Sequence, residues 1–188
     1  MSVSLSLTDK QTFAALLNFL ENVLTTTDSN GKLILDVIRG QDNKVAEPAV
    51  SNFVLMTFLH KERLATNTVT YTTPIGATTS TRQDLTPINY TIRLDVHGDS
   101  AADNTQIIMS MFRSDYATSF FKGVGYDVTP LWCRDPTQVP YLNGEQQIEQ
   151  RWIMEVYLQC NPVLSMTGIE SADTLSVNEF VDVDNNIN

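Results

Sequence analysis

Two histidines and two cysteines are the side chains in this sequence best suited to metal binding or nucleophilic catalysis. His60 and His97 stand far apart, and Cys133 and Cys160 form no Cys-x-x-Cys pair. A structural zinc site needs a third and fourth ligand at workable spacing. Neither cysteine has a neighbouring histidine in the sequence to serve as a base. We therefore predict no metal site and no cofactor, and we expect both histidines to make ordinary hydrogen bonds near strand ends.

Motifs for serine hydrolysis and phosphate binding are also absent from the sequence. There is no Gly-x-Ser-x-Gly elbow and no Walker-type loop. Gly123-Val124-Gly125 is too short for a dinucleotide fingerprint and is typical of a helix end. The many carboxylates identify no glycosidase pair, because that chemistry depends on their separation in space. The sequence thus marks no catalytic residue, and we expect no enzyme activity.

Length and composition are those of one globular domain. The chain has 188 residues, of which 42% are hydrophobic and 18% charged, enough for a sizeable core. It has no apolar run of the roughly 18 residues that cross a bilayer, and residues 1–7 lack the basic start of a secretory signal. So few cysteines indicate free thiols in a reducing compartment. We expect a protein that stays in the cytoplasm where it is made and has no membrane partner.

The charge balance is strongly acidic. Asp plus Glu number 22 against 12 Lys plus Arg, which gives a formal net charge of −10. Tight binding to a phosphate backbone is driven by basic side chains that displace counterions, so we expect no specific nucleic-acid binding. Two interpretations of the charge stay open: ordinary solubility, or an acidic surface that faces DNA without holding it, as the lining of a DNA-conducting channel would.

Hydrophobic periodicity predicts two helices and several strands. Thr8 and Gln11 form a capping-box pattern ahead of an apolar stripe that begins at Phe13. A second helix is predicted from Ser100 to Gly123, with a buried stripe of Ile107, Ile108, Met111, Phe112 and Tyr116. Strands are predicted over residues 33–38, 52–60, 88–97, 124–131 and 151–159. The pattern indicates an α+β fold: a single domain with a mixed, mostly antiparallel sheet and two main helices packed on one face.

Two further segments are distinctive. Thr66–Thr86 is rich in alternating threonines, which predicts a strand followed by a long β-type loop or arm with one wet face. Such an arm is either a solvated hairpin or an arm that adds to the sheet edge of a neighbouring subunit or touches the next ring. Residues 170–188 carry acidic side chains and no Lys or Arg, so we predict a flexible tail after a domain that spans residues 1–169.

Two patterns make the chain resemble the phage neck or tail terminator proteins. One is the turn Arg39-Gly40-Gln41-Asp42-Asn43-Lys44 with Pro48 ahead of an apolar strand, and the other is the final strand from Arg151-Trp152 to Asn161-Pro162. The resemblance covers most of residues 8–165. It implies a structural virion subunit, made in the host cytoplasm, that forms a six-membered ring on the last ring of the tail tube.

The same resemblance implies partners and contact residues. The ring is expected to stop tube growth, to dock the head–tail connector protein and to let genomic DNA pass through its lumen without specific binding. Arg39, Gln41, Asn43 and Lys44 are predicted at a subunit or tube contact, and Arg93 and Arg151 are predicted to pair with carboxylates across a ring interface. The alternative for each is a solvated or internally paired side chain.

Two other functional classes stay open from the sequence. One is an enzyme with an unmarked site in the loop that follows Arg39. The other is a monomeric binding module that uses the Thr66–Thr86 arm.

Overall fold

The computed structural model describes residues 1–40, 48, 50–142 and 148–170. Within them the chain forms three helices, α1 (Asp9–Val23), α2 (Ala101–Phe112) and α3 (Asp115–Gly123). The strands in the same residues are β1 (Ser2–Leu5), β2 (Asp36–Arg39), β3 (Phe53–Arg63), β4 (Thr68–Thr72), β5 (Thr79–Leu85), β6 (Ile88–His97), β7 (Val128–Cys133), β8 (Thr137–Gln138), β9 (Tyr141–Leu142), β10 (Ile148–Glu149), β11 (Arg151–Cys160) and β12 (Val163–Glu170).

The larger sheet, called here the main sheet, has the strand order β2-β3-β6-β11-β7, and β8 also pairs with β11. Its neighbours are antiparallel except for β2 and β3, which are parallel. The short strands β9 and β10 pair only with each other among the described residues. The predicted α+β class with a mixed, mostly antiparallel sheet is confirmed.

The core lies between the main sheet and the helices. Alternate side chains of β6 and β11 are fully buried there, because successive residues of a strand point to opposite faces. All three helices contribute buried side chains to the same cluster, with Phe19 of α1 packed on Phe112 and Phe121. The strand residues in this core are Tyr90, Ile92, Leu94, Val96, Met154, Val156, Leu158 and Cys160. Each large apolar side chain buried in this way stabilises the fold by about 1.5–3 kcal/mol.

Helix α1 begins as the sequence predicts. Thr8 is extended, its hydroxyl accepts from the Gln11 amide at 3.3 Å, and the Gln11 side chain accepts from the Thr8 amide at 2.8 Å. This reciprocal pair satisfies two amides that have no partner inside the helix. The predicted capping box therefore sets the first turn of α1.

The predicted second helix is divided into two. Helix α2 ends at Phe112, and Ser114 is extended, with φ −92° and ψ 167°, before α3 begins. The Ser114 hydroxyl donates to the Met111 carbonyl at 2.7 Å, which is the local side-chain bonding that competes with helix continuation. Ile107 on α2 and Tyr116 on α3 are exposed, although both were predicted for the buried stripe.

Two predicted strands are displaced along the chain. The strand expected over residues 33–38 is β2, which begins only at Asp36, since Leu33 makes an isolated bridge with Thr27 instead. The strand expected over 124–131 is β7, which begins at Val128 because Val124 still has helical geometry as the C-cap of α3. Both strands begin only a few residues later than predicted.

A second sheet, called here the arm sheet, has the order β1-β12-β5-β4, with every pair antiparallel. The threonine-rich segment supplies the hairpin of β4 and β5. The strands β1 and β12 were not predicted. Two backbone hydrogen bonds mark the place where the two sheets meet. The Leu64 amide donates to the Pro87 carbonyl at 2.9 Å, and the Thr86 amide donates to the Pro162 carbonyl at 3.1 Å.

The division of the chain into residues 1–169 and 170–188 stays a prediction. Glu170, the first residue of the predicted tail, is the last residue of β12. Residues 171–188 lie outside the described residues.

Candidate assembly surfaces

The main sheet has a second face, opposite the helices, that is called here the polar face. It is formed by Phe53, Leu55 and Thr57 of β3, by Asn89, Thr91, Arg93, Asp95 and His97 of β6, and by Arg151, Ile153, Glu155, Tyr157 and Gln159 of β11. The sequence predicts a polar row on β6, and the structure shows that four of its five members are buried. A row of buried polar side chains must be hydrogen-bonded or paired to be tolerated.

Asp95 is the centre of the polar face. Its side chain is fully buried and accepts hydrogen bonds from Arg93 Nε at 2.8 Å and from Arg151 Nε at 2.9 Å. Arg151 Nη2 contacts the same carboxylate. Both arginine side chains stay partly exposed, at 35% and 24%. The cluster therefore compensates a buried anion while two guanidinium groups remain within reach of solvent.

Arg93 and Arg151 are thus brought together by the fold, and they share an acceptor inside the chain. Internal pairing was the alternative considered for both. A contact with carboxylates of a neighbouring subunit stays a prediction for these two residues.

His97 and Phe53 stack at one end of the polar face, with ring centroids 4.3 Å apart and planes 9° apart. Burial lowers the pKa of His97, and the positive charge of Arg151 lowers it further, against the opposing influence of Asp95 and Glu149. A histidine in this setting favours the neutral form, so it adds no charge to the cluster near neutral pH.

Trp132 and Tyr157 stack further along the polar face, with ring centroids 4.1 Å apart. The Tyr157 hydroxyl donates to Glu155 at 2.7 Å, and Arg134 lies 3.2 Å from the same carboxylate. Trp132 is 48% exposed. Arginine, tyrosine and tryptophan are the side chains most enriched in protein interfaces, and sequence reasoning missed this group because its members come from different strands.

Arg39 lies on the other side of the main sheet, at the end of the edge strand β2. Its guanidinium carbon is 4.3 Å from the centroid of the Phe13 ring, a cation–π contact with α1. Arg39 and Phe13 line a shallow pocket together with Lys10, Leu17 and Met56. The structure therefore does not bring Arg39 together with Arg93 and Arg151. The other predicted contact residues, Gln41, Asn43 and Lys44, lie outside the described residues.

The arm sheet has two chemically different faces. One, called here the apolar arm face, carries Val3, Leu5, Leu164, Met166, Val69 and Tyr71, with the ion pair of Arg82 and Asp84 between them. The other, called here the hydroxyl face, carries Ser2, Ser4, Ser165, Thr167, Thr81, Gln83, Thr70 and Thr72. Threonine alternation predicts the hydroxyl face, but β4 is exposed on both faces, so the apolar arm face is a second exposed face that was not predicted.

A hydrogen-bonded cluster joins α1 to the main sheet beside the arm sheet. Lys61 Nζ and the Tyr90 hydroxyl both donate to Asp9 Oδ1, at 2.6 and 2.8 Å. Partial burial raises the pKa of Asp9, but the bonds from Lys61 and Tyr90 lower it by more, so the net shift is downward. Burial, followed by the bond to Asp9, raises the pKa of Tyr90. The cluster holds a carboxylate ionised and engaged, which suits a structural role.

The described residues were also compared with the requirements of a metal site, a reactive thiol and a membrane-spanning helix. They contain no group of three or more His, Cys, Asp or Glu side chains arranged to hold a metal ion. Cys133 and Cys160 are buried free thiols, and burial raises the pKa of Cys160 to about 11, so its reactive thiolate form is disfavoured at neutral pH. Among the helices of this part of the chain, none combines the length and the apolar character needed to cross a bilayer.

A family model described as phage neck terminator protein matches residues 13–186. The match begins within α1 and therefore does not include β1. A comparison with curated proteins found no match to the chain.

Proposed function

The chain belongs to the phage neck terminator protein family, and from that premise we propose that it caps the tail tube as a ring and joins the tube to the head connector. Family membership makes it a structural protein of the virion neck that interacts with other head and tail proteins. The single observation that carries the proposal is the family match over residues 13–186. We propose a homo-oligomeric ring, six-membered as the sequence resemblance implies.

The surfaces of the chain support this proposal physically. In a closed ring, one surface of each subunit meets a different surface of the next, so each subunit needs two complementary patches and no active site. The chain offers the polar face with its Arg93, Asp95 and Arg151 cluster, the edge of the main sheet at Arg39, and the arm sheet. These are distinct in position and in chemistry.

Arg93 and Arg151 are proposed as contacts between subunits. Each guanidinium group is already anchored by Asp95, so little side-chain entropy is lost when a second carboxylate binds it. Arg39 is proposed, with Gln41, Asn43 and Lys44, at the contact with the tube or with the next subunit. An excess of carboxylates over basic groups provides acceptors for such arginines on neighbouring copies.

The net charge supports a passive role toward DNA. With a formal charge of −10, a ring of identical subunits repels a phosphate backbone wherever it is not locally basic. We propose that genomic DNA passes through the lumen without specific binding. The DNA then moves through the ring without being bound by it.

Electron microscopy of the purified protein mixed with tail tubes tests the capping function. We expect density at one end of each tube and an unlabelled tube wall. The charge reversal Arg39→Glu should reduce the capped fraction, whereas Lys122→Glu, a matched reversal on α3, should not. A uniform coating along the sides of the tubes would overturn capping.

Light scattering after size exclusion tests the ring. The proposal expects either a ring in solution or a monomer that forms rings only on tube ends. A stable monomer that leaves tubes uncapped would instead favour a monomeric binding module.

A further inference from the structure

Within the described residues, the two edges of the arm sheet are open, and neither edge strand carries a charged side chain. In the strand order β1-β12-β5-β4, each outer strand is paired on one side only within the described residues. The edge sequences are Ser-Val-Ser-Leu in β1 and Thr-Val-Thr-Tyr-Thr in β4. Proteins that remain monomeric usually protect such edges with charges, prolines or bulges. We propose that β4 of one subunit pairs with β1 of the next subunit, which makes the arm sheet continuous between copies of this chain.

Strand direction supports this pairing. Each neighbouring pair in the arm sheet is antiparallel, so the four strands alternate in direction from β1 to β4. An even number of alternating strands leaves β1 and β4 antiparallel to each other. Rotation about a ring axis keeps the direction of each strand along that axis. A second copy placed beside the first by such a rotation therefore presents its β1 antiparallel to β4 of the first. The more stable antiparallel ladder then continues across the junction.

The chemistry of the two arm-sheet faces sets the register. Directly opposed residues of paired strands lie on the same face. The four residues of β1 can be fully paired with the five of β4 in two registers. Only one of them, with Ser4 opposite Thr70, places Val3 beside Tyr71 and Leu5 beside Val69. The other register places each of these apolar side chains beside a serine or a threonine and so joins the apolar face of one copy to the hydroxyl face of the next.

The exposed apolar side chains give the junction a driving force. Val3 and Tyr71 are 59% and 60% exposed in the single chain. In the proposed register these two come together across the junction, and their burial adds to the hydrogen bonds of the ladder. The partner of each edge strand is thus a second copy of this chain, because β1 and β4 of the same chain match each other.

This proposal rests on the ring of the proposed function and names one of its contacts. A dimer in which β4 pairs with β4 of a two-fold-related copy is the rival arrangement. It would leave both β1 strands unpaired and would close without forming a ring.

Cysteine cross-linking tests the pairing and the register. The double variant Ser4→Cys with Thr70→Cys, oxidised under mild conditions, should give a ladder of covalent multimers on a non-reducing gel. Each single variant should stay monomeric on the gel. The matched control Ser4→Cys with Thr72→Cys keeps Val3 and places the two thiols two residues apart along the junction, so it should cross-link at least several-fold less. Covalent dimers from Thr70→Cys alone would overturn the proposal in favour of the two-fold dimer, and a double variant without a ladder would overturn edge pairing.

The same sample separates this proposal from capping. Oxidation is carried out on protein bound to tail tubes, and the tubes are then imaged. Caps without a ladder overturn the edge pairing and leave the proposed function standing. A ladder without caps supports the pairing and overturns capping. Amide hydrogen exchange of the unmodified protein gives an independent measurement, because β4 amides should exchange more slowly in the assembled ring than in the monomer.

Discussion

Asp95 and Arg151 lie on neighbouring strands of the main sheet and are joined by a hydrogen bond of 2.9 Å from Nε to Oδ1. The carboxylate is fully buried, and Arg93 donates to its second oxygen at 2.8 Å. A buried carboxylate is tolerated only when its charge is compensated. This pair therefore links strand pairing between β6 and β11 to the electrostatics of the polar face.

Asp95→Asn should destabilise the protein. The substitution removes the charge that both arginines share and leaves a buried amide with poorer partners, so we expect the free energy of unfolding to fall by about 1–3 kcal/mol. Urea denaturation measures it. The matched control is Asp135→Asn, since Asp135 pairs with Arg113 at 2.6 Å but is 83% exposed; that loss should stay below about 1 kcal/mol. Equal losses in the two variants would contradict the role assigned to Asp95.

The cluster around Asp95 shows what the sequence could and could not predict. The alternation of β6 predicts which face carries Asp95, because it depends only on neighbouring residues. The burial of that face depends on Arg151, which lies 56 positions further along the chain, and on packing between strands. No local pattern distinguishes a solvated aspartate from one held by two arginines.

The free energy of unfolding should decrease as the pH is lowered from 7.5 towards the folded-state pKa of His97. Burial lowers that pKa below the ordinary value of 6.5. Between the two values the unfolded chain binds more protons than the folded one, so unfolding becomes more favourable as the pH falls. The variant His97→Phe keeps the ring stack on Phe53 and removes the titration. Urea denaturation at pH 7.5 and 5.5 should show a smaller loss of stability for the variant, and equal losses would contradict this assignment.

Gly98→Ala should be much more destabilising than Gly31→Ala. Both glycines have positive φ, +99° and +77°, which costs about 1–2 kcal/mol for a residue with a Cβ. At Gly98 the added Cβ would also lie 2.1 Å from Asn52 Oδ1 and 2.8 Å from the Ser51 carbonyl, whereas nothing lies within 4 Å at Gly31. Thermal unfolding of both variants measures the difference, which should be about 1–3 kcal/mol. Similar losses of stability in the two variants would contradict this prediction, because they would mean that Ser51 and Asn52 move away from the added Cβ at little cost.

The two native thiols should be unreactive in the folded protein. Cys133 and Cys160 are buried, and with a pKa of about 11 for Cys160 only about one molecule in a thousand carries its thiolate at pH 8. A colorimetric thiol reagent should react slowly with the native protein and rapidly with both thiols in urea. The single variant Lys122→Cys is the control, because its added thiol is at an exposed position of α3 and should react at once. Fast reaction of the native thiols would contradict their burial.

The arm sheet is a second feature that the sequence predicts only in part. Threonine alternation predicts the extended, one-sided character of the Thr66–Thr86 segment, and the structure resolves it into β4 and β5. The outer strand β1 and the strand β12 were missed, because each acquires its sheet character only by pairing with a segment distant in the chain. Ser2 pairs with Thr167, for example, at opposite ends of the described residues. The faces of the arm sheet, and hence its open edges, follow from this non-local pairing.

The chain belongs to a family of structural proteins of the virion neck, and we propose that it closes the tail tube. Immunoelectron microscopy of intact virions with antibodies against this chain tests it most directly. We expect labelling confined to the junction between head and tail. Labelling along the tail, on the capsid shell or on no part of the particle would contradict it.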